Sequence, residues 1–181
     1  PTIMGSYPSY PPRFSYPSAR STKVVRVPTL SYVYADRIFS APYISLADLD
    51  LELVEEPVAG LEALAAVRTT SPVPIAVDES ARTIEDVRRT IALGSADLVI
   101  LKPSALGGPL ITAEVARVVT EAGLGLVVTS LLDGSVGIRA AAHLTAALGA
   151  LDPAPGLATA ALLTADSGPS LLPTEGALVL D

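Results

Sequence analysis

Asp97-Leu98-Val99-Ile100-Leu101-Lys102-Pro103 is the stretch that decides the fold. Its aliphatic run shows no polar alternation, so it reads as a strand covered on both faces, as in a parallel sheet packed between or beneath helices. A lysine closes the run, in a chain that holds only two lysines against ten arginines. The same arrangement occurs twice upstream. Leu51-Glu52-Leu53-Val54 runs into Glu55-Glu56-Pro57, and Val73-Pro74-Ile75-Ala76-Val77 runs into Asp78-Glu79-Ser80. Glu55 and Asp78 are 23 residues apart, Asp78 and Lys102 24. That interval is one strand plus one helix, and a charged group at each parallel strand tip is how a βα barrel builds a site at one mouth.

Outward from these strands the helical period takes over. The pattern predicts strands over 51–54, 73–77, 98–101 and 124–128, and helices over 61–68, 84–93, 110–122 and 136–148. Thr83, with Asp86 three residues on, is a start signal for the second helix, and Gly94 is its stop. Pro109 suits the first turn of the third helix, Gly123 its end, and Gly149 the end of the fourth. A last apolar stretch, 157–164, reads as a fifth strand. The fold class is therefore α/β: a partial TIM-type (β/α) barrel, roughly the second half of an eight-stranded one.

The chain is two materials. All eight aromatic residues and seven of the 16 prolines lie within residues 1–43. Residues 1–50 carry a net charge of +2 and residues 51–181 a net charge of -9. A break of this kind marks a domain boundary. Residues 1–48 read as a Pro/Ser/Tyr-rich irregular leader, with short strands at 24–27 and 30–34, and residues 49–181 as the barrel portion. Proline every few residues blocks helices and sheet ladders, and a polyproline recognition segment at 7–16 is the functional alternative to a plain leader.

With a net charge of -7 the chain lacks the basic surface that nucleic acid requires. It has no cysteine, which excludes disulfides and thiolate metal sites. No apolar run reaches about 18 residues, so no membrane span is expected. With no basic-then-apolar opening segment, the expected location is the cytoplasm.

Three residues carry the chemistry. Glu55 or Asp78 alone is what any solvated strand end looks like. Two carboxylates and an amine on successive tips suit a hard cation such as Mg²⁺ with a proton-transferring or charge-stabilising lysine beside it. A static ion pair would favour arginine in this arginine-rich chain, so the lysine points to a need for the amine. Glu56 and Glu79 neighbour these acids, and spacing does not decide which member of each pair faces a metal. Thr129-Ser130-Leu131-Leu132-Asp133-Gly134-Ser135 offers hydroxyls and N–H groups at a helix start, a place for a substrate carboxylate or an ordinary capped loop. Gly107-Gly108 is a weaker anion signal. His143 is the only histidine and reads as a surface or structural residue, which leaves Ser130 and Ser135 without a hydrolase triad.

These residues together resemble the later barrel strands of the enolase superfamily. The segments are Leu53-Val54-Glu55-Glu56-Pro57, Ile75-Ala76-Val77-Asp78-Glu79-Ser80 and Val99-Ile100-Leu101-Lys102-Pro103-Ser104. Within the superfamily they are most similar to the o-succinylbenzoate synthases of menaquinone biosynthesis. Leu126-Val127-Val128-Thr129-Ser130-Leu131 resembles that family's seventh-strand loop, and Pro155-Gly156-Leu157-Ala158-Thr159 its last strand. The resemblance implies a Mg²⁺-dependent dehydration of a small cyclic carboxylate through an enediolate. It implies Glu55 and Asp78 as metal ligands, Lys102 as the enolate-stabilising lysine, and Thr129, Ser130, Leu131 and Gly156 as substrate contacts. Racemisation of N-acylamino acids on the same scaffold is the sister activity. The sequence departs from the family in three ways. The family's Lys-x-Lys motif is absent, the Asp-x-Asn motif expected near 24–32 is absent, and Asp36, Asp48 and Asp50 fall elsewhere. The capping domain also has no counterpart. The change near residue 49 therefore reads as a truncation or frame disruption, leaving a chain with little turnover and open barrel edges prone to self-association.

Translation of the encoding DNA in the alternative frames upstream of residue 49 is expected to restore Lys-x-Lys and Asp-x-Asn. Their absence from every frame would refute a frame disruption.

Overall fold

Strand, helix, strand: each apolar run and the amphipathic segment after it form one repeating unit, and each new strand lies beside the one before. The computed structural model describes residues 51–149, 151, 153–169, 171–174 and 177–180. The leader expected over 1–48, its two short strands and the acids Asp36, Asp48 and Asp50 lie outside the described residues. Strands β1 (Val54–Glu55), β2 (Ile75–Val77), β3 (Leu98–Leu101) and β4 (Gly125–Val128) form one sheet in the order β1-β2-β3-β4. All pairs are parallel, with Val54 beside Ile75, Ala76 beside Leu98 and Val99 beside Leu126. Strictly sequential order is the barrel topology; a doubly wound sheet would reverse direction.

Helices α1 (Leu61–Thr70), α2 (Ile84–Leu93), α3 (Pro103–Leu106), α4 (Pro109–Glu121) and α5 (Ser135–Leu148) connect and follow the strands. The α2 start is the predicted capping box. The Asp86 N–H donates to the Thr83 hydroxyl at 3.1 Å and the Thr83 N–H donates to the Asp86 carboxylate at 3.1 Å. Gly94, at φ 64°, ends that helix in the left-handed conformation. The short α3, with Pro103 at its first position, was not expected from the sequence. Gly107 and Gly108, at φ 98° and 112°, turn the chain from α3 directly into α4. Their role is that turn, and the Gly108 carbonyl is taken by the Thr112 N–H at 3.0 Å.

Residues 157–164 do not form the expected fifth strand. Only one parallel bridge joins Thr129 to Gly156, and Thr159–Leu162 is a 3-10 turn. Pro153 and Pro155 have no N–H for a ladder, and the alanines at 158, 160 and 161 have little strand preference. Among the described residues no helix is long and apolar enough to cross a membrane.

The sheet has two faces. Val54, Ile75, Val77, Val99 and Leu101 pack outward against helix residues including Leu64, Val87, Val115 and Val119. Leu53, Ala76, Leu98, Ile100 and Val127 form a separate cluster on the inner face. At the opposite end from the strand tips, Asp97 ties three elements together. Its carboxylate accepts both Nε and a terminal nitrogen of Arg68 from α1, at 3.0 and 2.8 Å, and the Ile75 N–H of β2 at 3.0 Å. Its carbonyl accepts the Gly125 N–H at 3.0 Å, at the start of β4.

Arg68 and Asp97 are 15% and 13% exposed, and removing one partner of such a pair strands the other charge. Asp97→Ala is expected to lower the unfolding free energy in urea by about 3–5 kcal/mol, with Arg68→Lys losing less because one contact survives. A change below ~1 kcal/mol in Asp97→Ala would show that the pair is not a structural tie.

Candidate active site

Alternation along the strands places the chemistry. Leu53 faces inward and Val54 outward, so Glu55 faces inward again. By the same count Asp78 follows Ala76, Lys102 follows Leu98 and Ile100, and Thr129 follows Val127. Four polar side chains thus cap the apolar inner face, one at each strand's carboxyl end. A cavity of about 440 Å³ opens there, bounded by Leu53, Glu55, Ile100, Val127, Thr129 and Gly156 among others.

Asp78 is 6% exposed and its carboxylate accepts the Lys102 ammonium in an ion pair. Lys102 thus stands beside an acid one strand away, in the ion pair that was the static alternative for this lysine. Its backbone carbonyl accepts the Ala105 and Leu106 N–H groups at 2.9 and 3.0 Å, so the short α3 anchors the residue immediately after β3. Glu55 lines the cavity, whereas Glu56 does not. The Glu56 backbone turns into the left-handed region at φ 40°, and its carboxylate accepts the Asp78 N–H at 2.8 Å and the Ser80 hydroxyl. Burial pushes the Glu56 carboxyl above its ordinary value of 4.5, against the opposing pull of the Ser80 and Asp78 donors. The geometry therefore separates the two neighbours that spacing left equivalent.

Glu55 and Asp78 supply hard oxygen donors on one face. A Mg²⁺ ion accepts one or two carboxylates when waters complete its shell, so the donor chemistry fits as part of a site. Among the described residues no cluster of three or more His, Cys, Asp or Glu side chains is arranged to hold a metal. Any third protein ligand lies outside them.

The loop after β4 is more committed than the sequence implied. The Thr129 N–H donates to the Leu101 carbonyl at 2.9 Å and the Ser130 N–H to the Gly156 carbonyl at 3.1 Å. The Thr159 hydroxyl donates to the Leu131 carbonyl at 2.6 Å. A hydroxyl has one hydrogen. Thr159 therefore accepts from the Ser130 hydroxyl, whose one hydrogen is shared between Thr159 at 2.8 Å and the Gly156 carbonyl at 3.2 Å. Thr129 differs: its hydroxyl oxygen is buried without a partner among the described residues. Leu131 is half-exposed. Of the four expected substrate contacts, Thr129 and Gly156 border the cavity.

The α5 start is the capped loop of the two alternatives that the sequence left open, and not a place for a substrate carboxylate. The Ser135 N–H donates to both Asp166 oxygens, at 3.1 and 2.9 Å, and its hydroxyl donates to the same carboxylate. Gly134 makes room for this contact, since a Cβ there would lie 2.8 Å from an Asp166 oxygen. The anion site at this helix end is filled by the chain's own acid. His143 is exposed on α5, as expected of a surface residue. Glu56 was named in the sequence with its role left open, whereas the contacts of Thr159 and Asp166 had no sequence signal. Asp166 lies 31 residues from Ser135, and no local pattern signals such a contact.

The Ser135 hydroxyl, then its N–H, hold the Asp166 carboxyl below its ordinary value of 3.8. A depressed folded-state value means that the contribution is present above the unfolded value and is lost as pH falls through the folded one. The stability difference between the parent chain and Asp166→Asn is expected to be present at neutral pH and to vanish as acid titrates this carboxyl. Urea denaturation across that range measures it, and a difference independent of pH would contradict the contact.

The sequence matches the enolase C-terminal domain-like family over residues 43–178. It is 37% identical over 161 residues to the o-succinylbenzoate synthase of Mycolicibacterium smegmatis, covering 89% of this chain and 49% of that protein. That match is too long to fit within residues 49–181 alone. It is 45% identical over 130 residues to the o-succinylbenzoate synthase of Thermobifida fusca, covering 71% of this chain and 40% of that one. Among solved structures it is similar to muconate lactonizing enzyme from Pseudomonas putida. There the TM-score is 0.67 at 30% identity, over 73% of this chain and 37% of that one. The chain thus spans about half, or less, of the length of these curated relatives. The sequential parallel strands, the acids and lysine at their inner tips and the family match agree: the chain belongs to the enolase C-terminal domain-like family, within the enolase superfamily.

Proposed function

We propose that this chain carries part of an o-succinylbenzoate synthase-like site, in which Glu55 and Asp78 hold a Mg²⁺ ion and Lys102 stabilises the developing enolate. The single observation behind this reading is that Glu55, Asp78 and Lys102 stand at the inner-face tips of three adjacent parallel strands, with Asp78 and Lys102 paired and Glu55 lining the cavity. Similarity to proteins named o-succinylbenzoate synthase supports the choice of reaction. The reaction removes a proton beside a substrate carboxylate and expels hydroxide from the neighbouring carbon, yielding the aromatic acid of menaquinone biosynthesis and water. A divalent cation would supply charge stabilisation at that carboxylate.

The chain's own groups have separable tasks. The Lys102 ammonium, partly withdrawn from water beside Asp78, offers a positive charge where negative charge develops. The apolar walls from Leu53, Ile100 and Val127 bury a hydrocarbon ring. The unpartnered Thr129 hydroxyl is available to a substrate oxygen. The only other lysine of the chain, Lys23, lies outside the described residues and outside any Lys-x-Lys motif. Loss of a general base costs about 10²–10⁴ in rate, so turnover by this chain alone is expected to be correspondingly low.

Lys102→Met separates a static ion pair from a metal site. With Asp78 left uncompensated, the variant is expected to lose about 3–5 kcal/mol of stability in metal-free buffer. Added Mg²⁺ then takes the place of the ammonium and recovers part of the loss. Calorimetric titration should show Mg²⁺ binding in the parent chain and in Lys102→Met, and weaker binding in Glu55→Gln and Asp78→Asn. In the parent chain, 2-succinylbenzoate should bind more tightly when Mg²⁺ is present. Equal Mg²⁺ behaviour in all of these variants would overturn the proposal.

A further inference from the structure

Glu56 is the one residue other than glycine with a positive φ among the described residues, at 40°. This is a sparsely allowed conformation for a side chain bearing a Cβ, and it persists only where the surroundings impose it. Proline follows it, so the chain is doubly constrained at this point. An extended residue after Glu55 would send its side chain to the outer face. The left-handed turn instead sends the Glu56 carboxylate sideways, across the end of β2.

What the carboxylate meets there is specific. One oxygen accepts the Asp78 N–H at 2.8 Å and the other accepts the Ser80 hydroxyl. Ser80 in turn accepts the Gly60 N–H at 3.2 Å, and the Glu56 N–H donates to the Ala76 carbonyl at 2.8 Å. The loops after β1 and β2 are thereby tied through one side chain. Asp78 needs such a tie. Its side chain sits past the last ladder residue of β2, with its carboxylate on the inner face and, among the described residues, the Lys102 ion pair to hold it laterally.

We infer that Glu56 is a positioning residue for Asp78: its strained backbone aims a half-buried carboxylate at the Asp78 N–H and the Ser80 hydroxyl, so that the Asp78 carboxylate is presented to the cation-binding face. This rests on the proposed function in so far as Asp78 is read as a metal ligand. Glu56 touches neither the cavity nor any reacting group, so it acts through Asp78. Groups that orient a metal ligand typically change metal affinity about 10–100-fold when removed.

The test uses the full chain with Mn²⁺ alone as the probe, read by electron paramagnetic resonance, together with hydrogen exchange of the Asp78 amide. Glu56→Gln keeps an acceptor for the Asp78 N–H and a polar group for Ser80. It is expected to bind Mn²⁺ within about threefold of the parent, while Glu56→Ala loses about tenfold or more. The Asp78 amide should exchange faster in Glu56→Ala and at the parent rate in Glu56→Gln, a pattern that rescue by the conservative variant makes specific. Glu56→Gly relieves the backbone strain but lacks the carboxylate, and should bind as weakly as Glu56→Ala. Should Glu56→Ala fail to fold, Glu56→Gly and Ser80→Ala carry the same comparison. Parent-like Mn²⁺ affinity and Asp78 protection in Glu56→Ala and Glu56→Gly would overturn the inference. If the parent itself takes no Mn²⁺, the metal reading fails, and the Asp78 exchange rates still decide the positioning role.

Discussion

Side-chain alternation along four in-register parallel strands is the constraint on which the rest of this structure depends. A period of two divides the sheet into an outer face that packs on helices and an inner face that does not. It also carries that division to the strand ends, where Glu55 closes β1 and Asp78, Lys102 and Thr129 stand one residue past β2, β3 and β4. A slip of one residue in any strand would move its tip residue from the cavity side into the helix layer. The hydrophobic clusters on the two faces therefore protect the site's geometry: Ile75, Val77 and Leu101 are fully buried in the outer layer, and exposing them would cost about 1.5–3 kcal/mol each.

Electrostatics then operates within that frame. Asp78 and Lys102 are withdrawn from water together, and each offsets the cost of burying the other. The same logic recurs at the far end of the sheet with Arg68 and Asp97, where the arginine fork makes two contacts and the carboxylate also caps a strand N–H. The contrast between the two pairs is informative. The arginine fork sits at the far end of the sheet, and the flexible amine sits at the carboxyl end of β3 beside Asp78.

Around the site, polar groups are used up by one another in short chains. Ser130, Thr159 and the Leu131 carbonyl form one; Gly60, Ser80, Glu56 and the Asp78 N–H form another; Ser135 and Asp166 form a third. Each joins loops from different strand–helix units. Together they hold the loop ends that a barrel of this class uses for chemistry, and they leave Thr129 as a buried hydroxyl without a partner among the described residues.

Much of this was legible in the sequence. The strand 98–101 and the helix 84–93 with its Thr83/Asp86 box were readable to the residue, because their signals are local: an unbroken aliphatic run, a cap and a left-handed glycine. The regular interval between Glu55, Asp78 and Lys102 identified the repeating unit and the three tip residues. The false fifth strand at 157–164 shows where local reading ends, since an apolar stretch becomes a strand only if a neighbour accepts its ladder. Likewise, sequence alone left Glu55 and Glu56 equivalent and the α5 start open. Only the tertiary structure could turn one glutamate into the cavity and the other across to Asp78, and bring Asp166 from 31 residues away onto Ser135. The reason is physical: periodicity and capping act over a few residues of chain, whereas the direction of a side chain past a strand's end is set by groups that only folding brings near.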